Sequence, residues 1–289
     1  MLVHLNGQLV PHDRAFVSVF DRGFLFGDGV YEGIRAFDGR VRAMDRHVAR
    51  LANGLGEIKL EWDAEGIREI VPELIRANEL GDAFIYLQVT RGVPAAGRAL
   101  RARVPDGPVT PTVFAFCVPA AKLDACLEPI GKTAMTVEDF RWQRGHIKSI
   151  SLVSNVMTAL TAAEQHEDDA IFVRDGLVGE GTSTNVVMSV GGKLVTPSLE
   201  SVSILRGVTR ALVLEEGLEI ESRPVTVEEL RRADEVMLVG TLTMVASVVR
   251  IDGRPVGDGR VGPKARALAR GLVEGIRAEI SGEVRAGRD

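Results

Sequence analysis

Short apolar runs separated by turn dipeptides mark the first third of the chain. In "LVHLNGQLV" two such runs flank Asn6-Gly7, and in "GIRAFDGRVRAM" two more flank Asp38-Gly39. These dipeptides favour the tight turns of β-hairpins, so each stretch predicts a hairpin. The apolar residues of "DRHVARLANGLGEI" and "AEGIREIVPELIRANEL" instead recur at helical spacing. "AFIYLQVTRG" and "PTVFAFCV" have the composition of buried strands, and the whole pattern predicts a small α+β domain over residues 1–118.

The rest of the chain mixes strands and helices in a different order. "KTAMTVEDF", "AIFVRDGLV", "VVMSV" and "KLVT" predict strands, and helices are predicted over 151–165, from Thr209 and from Gly262. The apolar face of the first of these helices consists of Val153, Val156, Met157 and Leu160. The sequence therefore predicts a connection over 119–131 and a larger second domain over 132–289.

Composition and charge narrow the class of protein. With 289 residues, 45% of them hydrophobic, the chain can bury the core of one large or two modest domains. Its net charge of −5 gives no general attraction to phosphate backbones, so we expect no nucleic-acid partner. The N-terminus has no signal-peptide pattern, and the longest uncharged apolar run, Val236 to Val249, is too short to cross a bilayer, so we expect no membrane association. The two cysteines and five histidines lack the spacing of a disulfide framework or a metal site, which favours a cytoplasmic protein without metal.

Lysine is scarce in this chain. There are 35 basic residues, but lysine occupies only positions 59, 122, 132, 148, 193 and 264. Lys148 lies in "RWQRGHIKSISLVSN", just ahead of a predicted helix. Arginine stays protonated and cannot act as an amine nucleophile, so a lysine here is a candidate for amine chemistry. The alternative is that Lys148 is merely one of the few lysines left in an arginine-biased chain, and this stretch alone leaves both interpretations open.

Three other features of the sequence favour the interpretation of Lys148 as a functional amine. Gly207 interrupts the chain before Val208 and Thr209 open an amphipathic helix, whose free N–H groups would attract a phosphate. Glu180 lies among hydroxyl-bearing residues and glycines in "GEGTSTN", and Arg50 follows an apolar helical segment. A lysine amine, an acid facing the ring nitrogen and an anion-binding cup are what pyridoxal phosphate requires of a protein.

At these residues the sequence resembles the fold type IV pyridoxal-phosphate enzymes, which include D-amino-acid, branched-chain and (R)-amine transaminases and aminodeoxychorismate lyase. The resemblance extends nearly from end to end. The motifs that carry it are "DRGFLFGDGVYEGIR" (21–35), "HVARL" (47–51), "EDFRWQRGHIKS" (138–149), "EGTSTNV" (180–186), "GVTR" (207–210) and "GTLTMVASVVRIDGRPVGDGRVGP" (240–263). Several motifs in the same order are far more specific than any one of them. The resemblance implies a two-domain α+β protein with the fold type IV architecture.

The resemblance also implies roles for individual residues. Lys148 is implied to be the Schiff-base lysine, Glu180 the partner of the pyridine nitrogen of pyridoxal 5'-phosphate, and Tyr31 a residue lining the substrate pocket. The implied phosphate cup consists of Arg50, Val208, Thr209 and Thr241, the last three through backbone amides or hydroxyls. A homodimer is implied as well, with the active site at the domain boundary and loops reaching over from the partner.

The implied reaction is a transamination between an amino acid and a 2-oxo acid. The lysine binds the cofactor covalently, is displaced by the amino substrate, and then carries the proton between the substrate carbon and the cofactor. The acid keeps the ring nitrogen protonated, so that the ring takes up carbanion charge. Release of one keto acid and entry of a second complete the transfer.

The motifs favour D-amino acids such as D-alanine or D-glutamate. "IYLQVTRG" and "EDFRWQRGHIKS" resemble D-amino-acid transaminases, whereas "YEGIRAF" and the Gly-Thr pair at 240 and 241 resemble branched-chain L-amino-acid transaminases. The D-specific enzymes trap the substrate carboxylate with an Arg-x-His motif, and here the loop has Arg98 but a leucine in place of the histidine. Arg35, Arg101 or Arg103 could supply the missing charge, since a guanidinium is well suited to a carboxylate.

Four alternatives to the D-amino-acid hypothesis stay open. A branched-chain L-amino-acid transaminase is the first, and an (R)-amine transaminase is the second. A lyase like the aminodeoxychorismate enzyme is the third, and it would eliminate pyruvate instead of passing the amino group on. A non-catalytic pyridoxal-phosphate-binding protein is disfavoured because both the lysine and the acid are present.

Overall fold

The chain folds into two units in the computed structural model, which describes residues 1–95, 100–215 and 218–282. Unit 1 comprises Met1–Ala121 and Ile147–Leu152, and unit 2 comprises Lys122–His146 and Val153–Asp289. Both contain helices and sheets, so the predicted α+β class is confirmed.

Unit 1 is built on a six-stranded antiparallel sheet with the strand order β2-β1-β6-β5-β3-β4. Its elements are β1 (Leu2–Leu5), β2 (Gln8–Pro11), α1 (Arg22–Phe26), β3 (Gly29–Phe37), β4 (Arg40–Val41), α2 (Met44–Glu57), α3 (Ile67–Ala77), β5 (Ala83–Pro94) and β6 (Val109–Pro119). Both predicted hairpins are present, as β1–β2 and β3–β4. Their turn residues have positive φ, at Asn6 (50°) and Gly7 (86°) and at Asp38 (48°) and Gly39 (74°), which is why these residue types occur there.

The two faces of this sheet have different surroundings. Burial alternates along β5, so that one face is fully buried and the other half-buried. The buried face packs against α2 and α3, and the core between them includes Ile34 of β3, Leu51 of α2 and Leu74 of α3. On the other face, Tyr31 and Tyr86 stack with ring centroids 5.4 Å apart. This second face therefore presents aromatic rings that the core of unit 1 does not use.

A short segment from later in the chain completes unit 1. Residues 147–152 run beside β3, where the Tyr31 N–H donates to the Lys148 carbonyl at 3.0 Å and Val30 bridges Ser149. Lys148 lies in the predicted second domain but is placed with unit 1, because its backbone is paired with β3.

Unit 2 is built on a nine-stranded mixed sheet. Its elements are β7 (Ile130–Glu138), α4 (Val153–Glu164), β8 (Asp169–Arg174), β9 (Leu177–Gly181), β10 (Asn185–Val190), β11 (Lys193–Pro197), α5 (Val208–Glu215), β12 (Ile220–Arg223), α6 (Val227–Arg231), β13 (Glu235–Gly240), β14 (Met244–Ile251), β15 (Arg254–Pro255) and α7 (Pro263–Ser281). The strand order is β12-β11-β10-β13-β14-β7-β8-β9, and β15 pairs with β14.

An additional contact closes part of this sheet into a ring. Asn185 on β10 pairs with Glu180 on β9, which joins the two ends of the path β10-β13-β14-β7-β8-β9. The core of unit 2 includes Ile171, Met188 and Leu238. The closure brings Glu180 and Asn185 side by side, with both residues buried.

The apolar face of helix α4 is exposed among the residues that the structure describes. Val153 is 69% exposed and Met157 is 62% exposed, and Val156 and Leu160 on the same face are also exposed. The one buried residue of α4 is Ala162. The predicted apolar face exists, but nothing in the described part of the chain covers it.

The described residues include neither a membrane-spanning helix nor a metal-binding group. No helix there is long and apolar enough to cross a membrane. Among the same residues, histidine, cysteine, aspartate and glutamate form no group of three that could hold a metal ion.

Candidate active site

Lys148 is positioned by the strand-like segment that pairs with β3. Its neighbours Ile147 and Ser149 are buried, so the half-buried Lys148 side chain points to the opposite side. There its Nζ lies 4.0 Å from the centroid of the Tyr31 ring. The ring face attracts the ammonium group and limits the positions that the amine can take. The structure thus places the predicted nucleophile beside the predicted pocket residue.

Arg50 is held by a buried carboxylate that sequence patterns do not reveal. It lies on α2 and donates from Nε to Glu32 Oε1 at 2.8 Å and from Nη2 to Glu32 Oε2 at 2.7 Å. His47 Nδ1 lies 2.7 Å from the same Oε2. Burial by itself would raise the pKa of Glu32, but the Arg50 guanidinium and His47 outweigh it and lower this pKa to about 2. Glu32, ionised at neutral pH, therefore fixes the direction of the Arg50 guanidinium.

Glu32 gives a prediction for the pH dependence of stability. Its pKa is about 2 in the folded protein against an ordinary value of 4.5, so its stabilising contribution is complete above 4.5 and is lost as the pH falls towards 2. In Glu32→Gln this part of the acid-induced loss should disappear. The variant should also be less stable than wild type at neutral pH, because Arg50 and His47 lose their charged acceptor.

The measurement is the thermal unfolding midpoint over a series of pH values between about 2 and 7. Glu61→Gln is the matched control, because Glu61 is exposed on the surface of the same unit. Equal acid sensitivity of the wild type and Glu32→Gln would contradict the assignment.

Glu180 lies at the end of β9 and is buried. Its Oε1 accepts from Arg141 Nη1 at 2.9 Å, and its Oε2 accepts from the Leu205 N–H at 2.9 Å and from Asn185 Nδ2 at 3.5 Å. Burial raises the pKa of Glu180, while Arg141 and the Leu205 amide partly oppose this rise. An oriented acid of raised pKa is well matched to a weakly basic ring nitrogen, with which it can share a proton.

Arg141 is a functional candidate that the sequence analysis missed. Its Nε and Nη2 donate to the two carboxylate oxygens of Asp139 at 2.9 and 3.1 Å, and its guanidinium carbon lies 3.8 Å from the centroid of the Phe172 ring. Asp139 and Phe172 thus hold the guanidinium in the orientation in which it donates to Glu180. The motif "EDFRW" contained both Asp139 and Arg141, but sequence gave no sign that the arginine reaches a residue 39 positions further on.

The predicted phosphate cup lies partly at the start of α5. Val208 and Thr209 are the first residues of this helix and both are buried. A Cβ added to Gly207 would lie 1.9 Å from Asn185 Oδ1, so only glycine allows this approach. Arg210 is buried and donates from Nη2 to the Pro197 carbonyl at 2.9 Å, which ties the first turn of the helix to β11. Free N–H groups at a fixed helix start suit a phosphate.

The remaining predicted site residues have diverse surroundings. Thr241 is half-buried in the turn between β13 and β14. Arg35 is buried, donates from Nη2 to the Ala121 carbonyl at 2.5 Å, and has its guanidinium carbon 4.5 Å from the centroid of the Phe37 ring. Arg101 and Arg103 are exposed, and Arg98 lies outside the described residues.

The groups present fit pyridoxal phosphate. Unit 1 contains the Lys148 amine and the oriented Arg50 guanidinium, and unit 2, taken by itself, contains the buried Glu180 acid and the start of α5. An amine for the aldehyde, an acid for the ring nitrogen and donors for the phosphate are the complete set that this cofactor requires. The fold and these groups define a pyridoxal-phosphate enzyme.

Comparison with known proteins gives the family. The family "Amino-transferase class IV" matches residues 29–251. The chain is 38% identical over 287 residues to a D-alanine aminotransferase from Bacillus licheniformis, across 97% of this chain and 99% of the relative. It is 36% identical over 279 residues to a putative branched-chain-amino-acid aminotransferase from Methanocaldococcus jannaschii, across 93% of this chain and 94% of the relative. The solved structure of a branched-chain aminotransferase from Thermoproteus uzoniensis with norvaline has a TM-score of 0.81 at 29% identity, across 98% of this chain and 95% of that one.

The chain belongs to the class IV aminotransferase family. It is a pyridoxal-phosphate-dependent aminotransferase with the fold type IV architecture, which confirms the resemblance seen in its motifs.

Proposed function

We propose that this aminotransferase moves the amino group of a D-amino acid, such as D-alanine or D-glutamate, to a 2-oxo acid. The observation that carries the proposal is the 38% identity, over nearly the full length of both chains, to a D-alanine aminotransferase. The motifs "IYLQVTRG" and "EDFRWQRGHIKS" support the same substrate class.

Each proposed site residue has a task in this reaction. When bound, pyridoxal phosphate supplies an aldehyde that accepts the amino group and a ring that accepts the electrons released at the substrate carbon. Lys148 Nζ holds the cofactor and then moves the proton from the substrate α-carbon. Glu180 holds a proton at the ring nitrogen, and Arg141 keeps the Glu180 carboxyl group in place.

Binding is the task of the other groups. Arg50, the amides of Val208 and Thr209, and Thr241 hold the phosphate, and the Tyr31 ring limits the space next to the Lys148 amine. Arg98, Arg101 and Arg103 are the candidates for the substrate carboxylate, since a charge-assisted pair is the strongest contact available to it. The guanidinium of Arg35 is engaged by Ala121 and Phe37, which makes it a weaker candidate.

The substrate class is tested by offering both enantiomers of alanine, glutamate and leucine as donors with 2-oxoglutarate as acceptor. We expect turnover with D-alanine and D-glutamate. Activity on L-leucine with none on any D-amino acid would instead establish a branched-chain L-amino-acid transaminase, the second candidate. That candidate is favoured by the 36% identity to the putative branched-chain relative and by the likeness to the norvaline-containing structure.

Two further alternatives have their own tests. Amino-group transfer from a primary (R)-amine that lacks a carboxylate would indicate an amine transaminase. Release of pyruvate by elimination, without conversion of the cofactor to its aminated form by simple amino acids, would indicate a lyase.

We also propose that the enzyme is a homodimer. The apolar face of α4 is exposed, and so are Phe16 (81%) and Phe24 (76%) of unit 1. Several large apolar side chains exposed together on one helix face are typical of a subunit interface. A second copy of the chain is the partner that the family resemblance implies.

The dimer proposal predicts the effect of a charge on α4. Met157→Glu should shift the protein towards monomer, because burying an unpaired carboxylate in an interface costs on the order of several kcal/mol. Size-exclusion chromatography with light scattering gives the mass. Ser154→Glu is the matched control, since Ser154 is exposed on the same helix outside the apolar face. A wild-type protein that elutes as a monomer, or a Met157→Glu variant that stays dimeric, would reject this interface.

A further inference from the structure

Arg22 links two distant parts of unit 1 through a buried guanidinium. It is the first residue of α1 and is 4% exposed. Its Nη1 donates to the Ala102 carbonyl at 2.6 Å and its Nη2 donates to the Arg103 carbonyl at 2.8 Å, some 80 residues further along the chain. Both acceptors are backbone atoms in the segment 100–108 between β5 and β6. Arg22 therefore fixes the backbone path of this segment.

The guanidinium of Arg22 is itself held by a carboxylate. Its Nε donates to Asp28 Oδ2 at 2.8 Å. Asp28 is held from a second direction by Arg91, through Nε to Oδ2 at 2.8 Å and Nη2 to Oδ1 at 3.0 Å. Burial would raise the pKa of Asp28, but Arg91 and Arg22 lower it below its ordinary value. An ionised Asp28 thus anchors both guanidinium groups.

Arg91 also donates to Asp28, but its other hydrogen bonds go to a different part of unit 1. Its Nη1 and Nη2 donate to the carbonyls of Lys59 at 2.8 Å and Ile58 at 2.6 Å, after the end of α2. The two arginines share one carboxylate, and each holds two backbone carbonyls. Of these two arginines, Arg22 holds the segment 100–108 and Arg91 holds residues 58 and 59, which makes Arg91 a natural control.

The same segment carries two guanidinium groups at the surface. Arg101 and Arg103 are exposed. The guanidinium carbon of Arg101 lies 5.2 Å from the centroid of the Phe26 ring, and that of Arg22 lies 4.8 Å from the same centroid. Helix α1 therefore directs both the backbone of the segment and the side chain of Arg101.

We propose that Arg22 is a positioning residue for recognition of the substrate carboxylate. By holding the carbonyls of Ala102 and Arg103, it keeps the Arg101 guanidinium on the Phe26 ring, in place to pair with the carboxylate of the amino donor. The proposal rests on the proposed function, in which the donor is an amino acid. Carboxylate binding depends on where the charge is held, and a displacement of about 1 Å can cost roughly a hundredfold in activity.

The test compares Arg22→Lys with Arg91→Lys in the holoenzyme. Lysine keeps the charge next to Asp28, but one ammonium group cannot span a carboxylate and two carbonyls as a guanidinium does. For Arg22→Lys we expect KM for the amino acid that the wild type uses best to rise roughly ten- to a hundredfold, with a much smaller change in kcat. Arg91→Lys should leave this KM close to the wild-type value. Equal effects on KM in the two variants would overturn the proposal.

Limited trypsin digestion gives a readout that does not depend on turnover. Release of the segment should speed cleavage after Arg101 and Arg103 in Arg22→Lys and not in Arg91→Lys. A purely structural role would instead lower the unfolding temperature of both variants and speed cleavage at many sites. Unchanged cleavage after Arg101 and Arg103 in Arg22→Lys would count against the proposal.

A second variant covers the case in which Arg22→Lys does not fold. Phe26 is half-buried, and Phe26→Leu removes the ring under Arg101 while leaving the contacts of Arg22 with the two carbonyls. KM for the amino acid should rise, and an unchanged KM would contradict the placement of Arg101. The proposed function fails if the wild type uses no D-amino acid, whereas the positioning role fails if the wild type is active on an amino acid and these variants keep its KM.

Discussion

Replacing Lys148 with alanine should reduce turnover by roughly 10²- to 10⁴-fold, the contribution typical of a positioned proton-transfer group, and more if covalent attachment of the cofactor is also required. The Lys148 amine lies over the Tyr31 ring, 4.0 Å from its centroid. The measurement is the rate of the first half-reaction, followed through the cofactor absorbance after mixing with excess D-alanine. Cofactor content should be measured as well, because Arg50 and Glu180 remain in the variant and can still retain the cofactor.

Lys148→Arg separates the need for an amine from the need for a positive charge. Arginine would keep a cation above Tyr31, but it cannot act as the amine nucleophile, so this variant should be as inactive as the alanine variant. Lys193→Ala is the matched control, since Lys193 is exposed on β11. Turnover of Lys148→Arg at the wild-type rate would show that charge alone suffices and that another residue is the nucleophile.

Glu180→Gln should have the second largest effect, a fall in kcat of roughly a hundredfold or more, comparable to the loss of a single preorganised electrostatic contact. Glutamine can still accept from the Leu205 N–H, but it carries no charge with which to keep the ring nitrogen protonated. The cofactor absorbance of the resting enzyme should shift with the change in ring protonation. Cofactor should be retained, because the substitution leaves the proposed phosphate-binding residues unchanged.

The control for Glu180 is Glu228→Gln, which alters an exposed glutamate on α6 of the same unit. Glu180→Asp adds a second comparison, since it keeps the charge but moves it away from Arg141. We expect its activity to lie between those of wild type and Glu180→Gln. Full activity of Glu180→Gln would mean that a different group faces the ring nitrogen.

The sequence pointed to those candidate site residues whose signal is local. Lys148 is one of only six lysines in the chain and precedes a predicted helix. Glu180 lies in a polar stretch that belongs to a family motif. Gly207 before α5 was likewise visible as a break in the pattern, and the structure gives its reason in the approach of Asn185. Hairpin turns were predicted for the same reason, because their chemistry is contained in two adjacent residues.

The parts that the sequence did not reveal depend on contacts between distant residues. Glu32 gives no sign that it pairs with Arg50, 18 positions away, because nothing in β3 predicts which helix will cover that face. The apolar run at Val236 divides into β13 and β14 at a turn without proline, asparagine or aspartate. For α4 the spacing predicted an apolar face, but periodicity cannot show whether the chain itself covers that face.

The alternation along β3 has a consequence for redesigning this enzyme. Tyr31 faces the Lys148 amine, and the adjacent Glu32 faces Arg50 on α2. One inserted or deleted residue between Gly29 and Glu32 would exchange the two faces, so the carboxylate would lie beside the amine and the ring would lie against the arginine. Libraries that aim to change the donor should therefore keep the length of β3 fixed and vary side chains only.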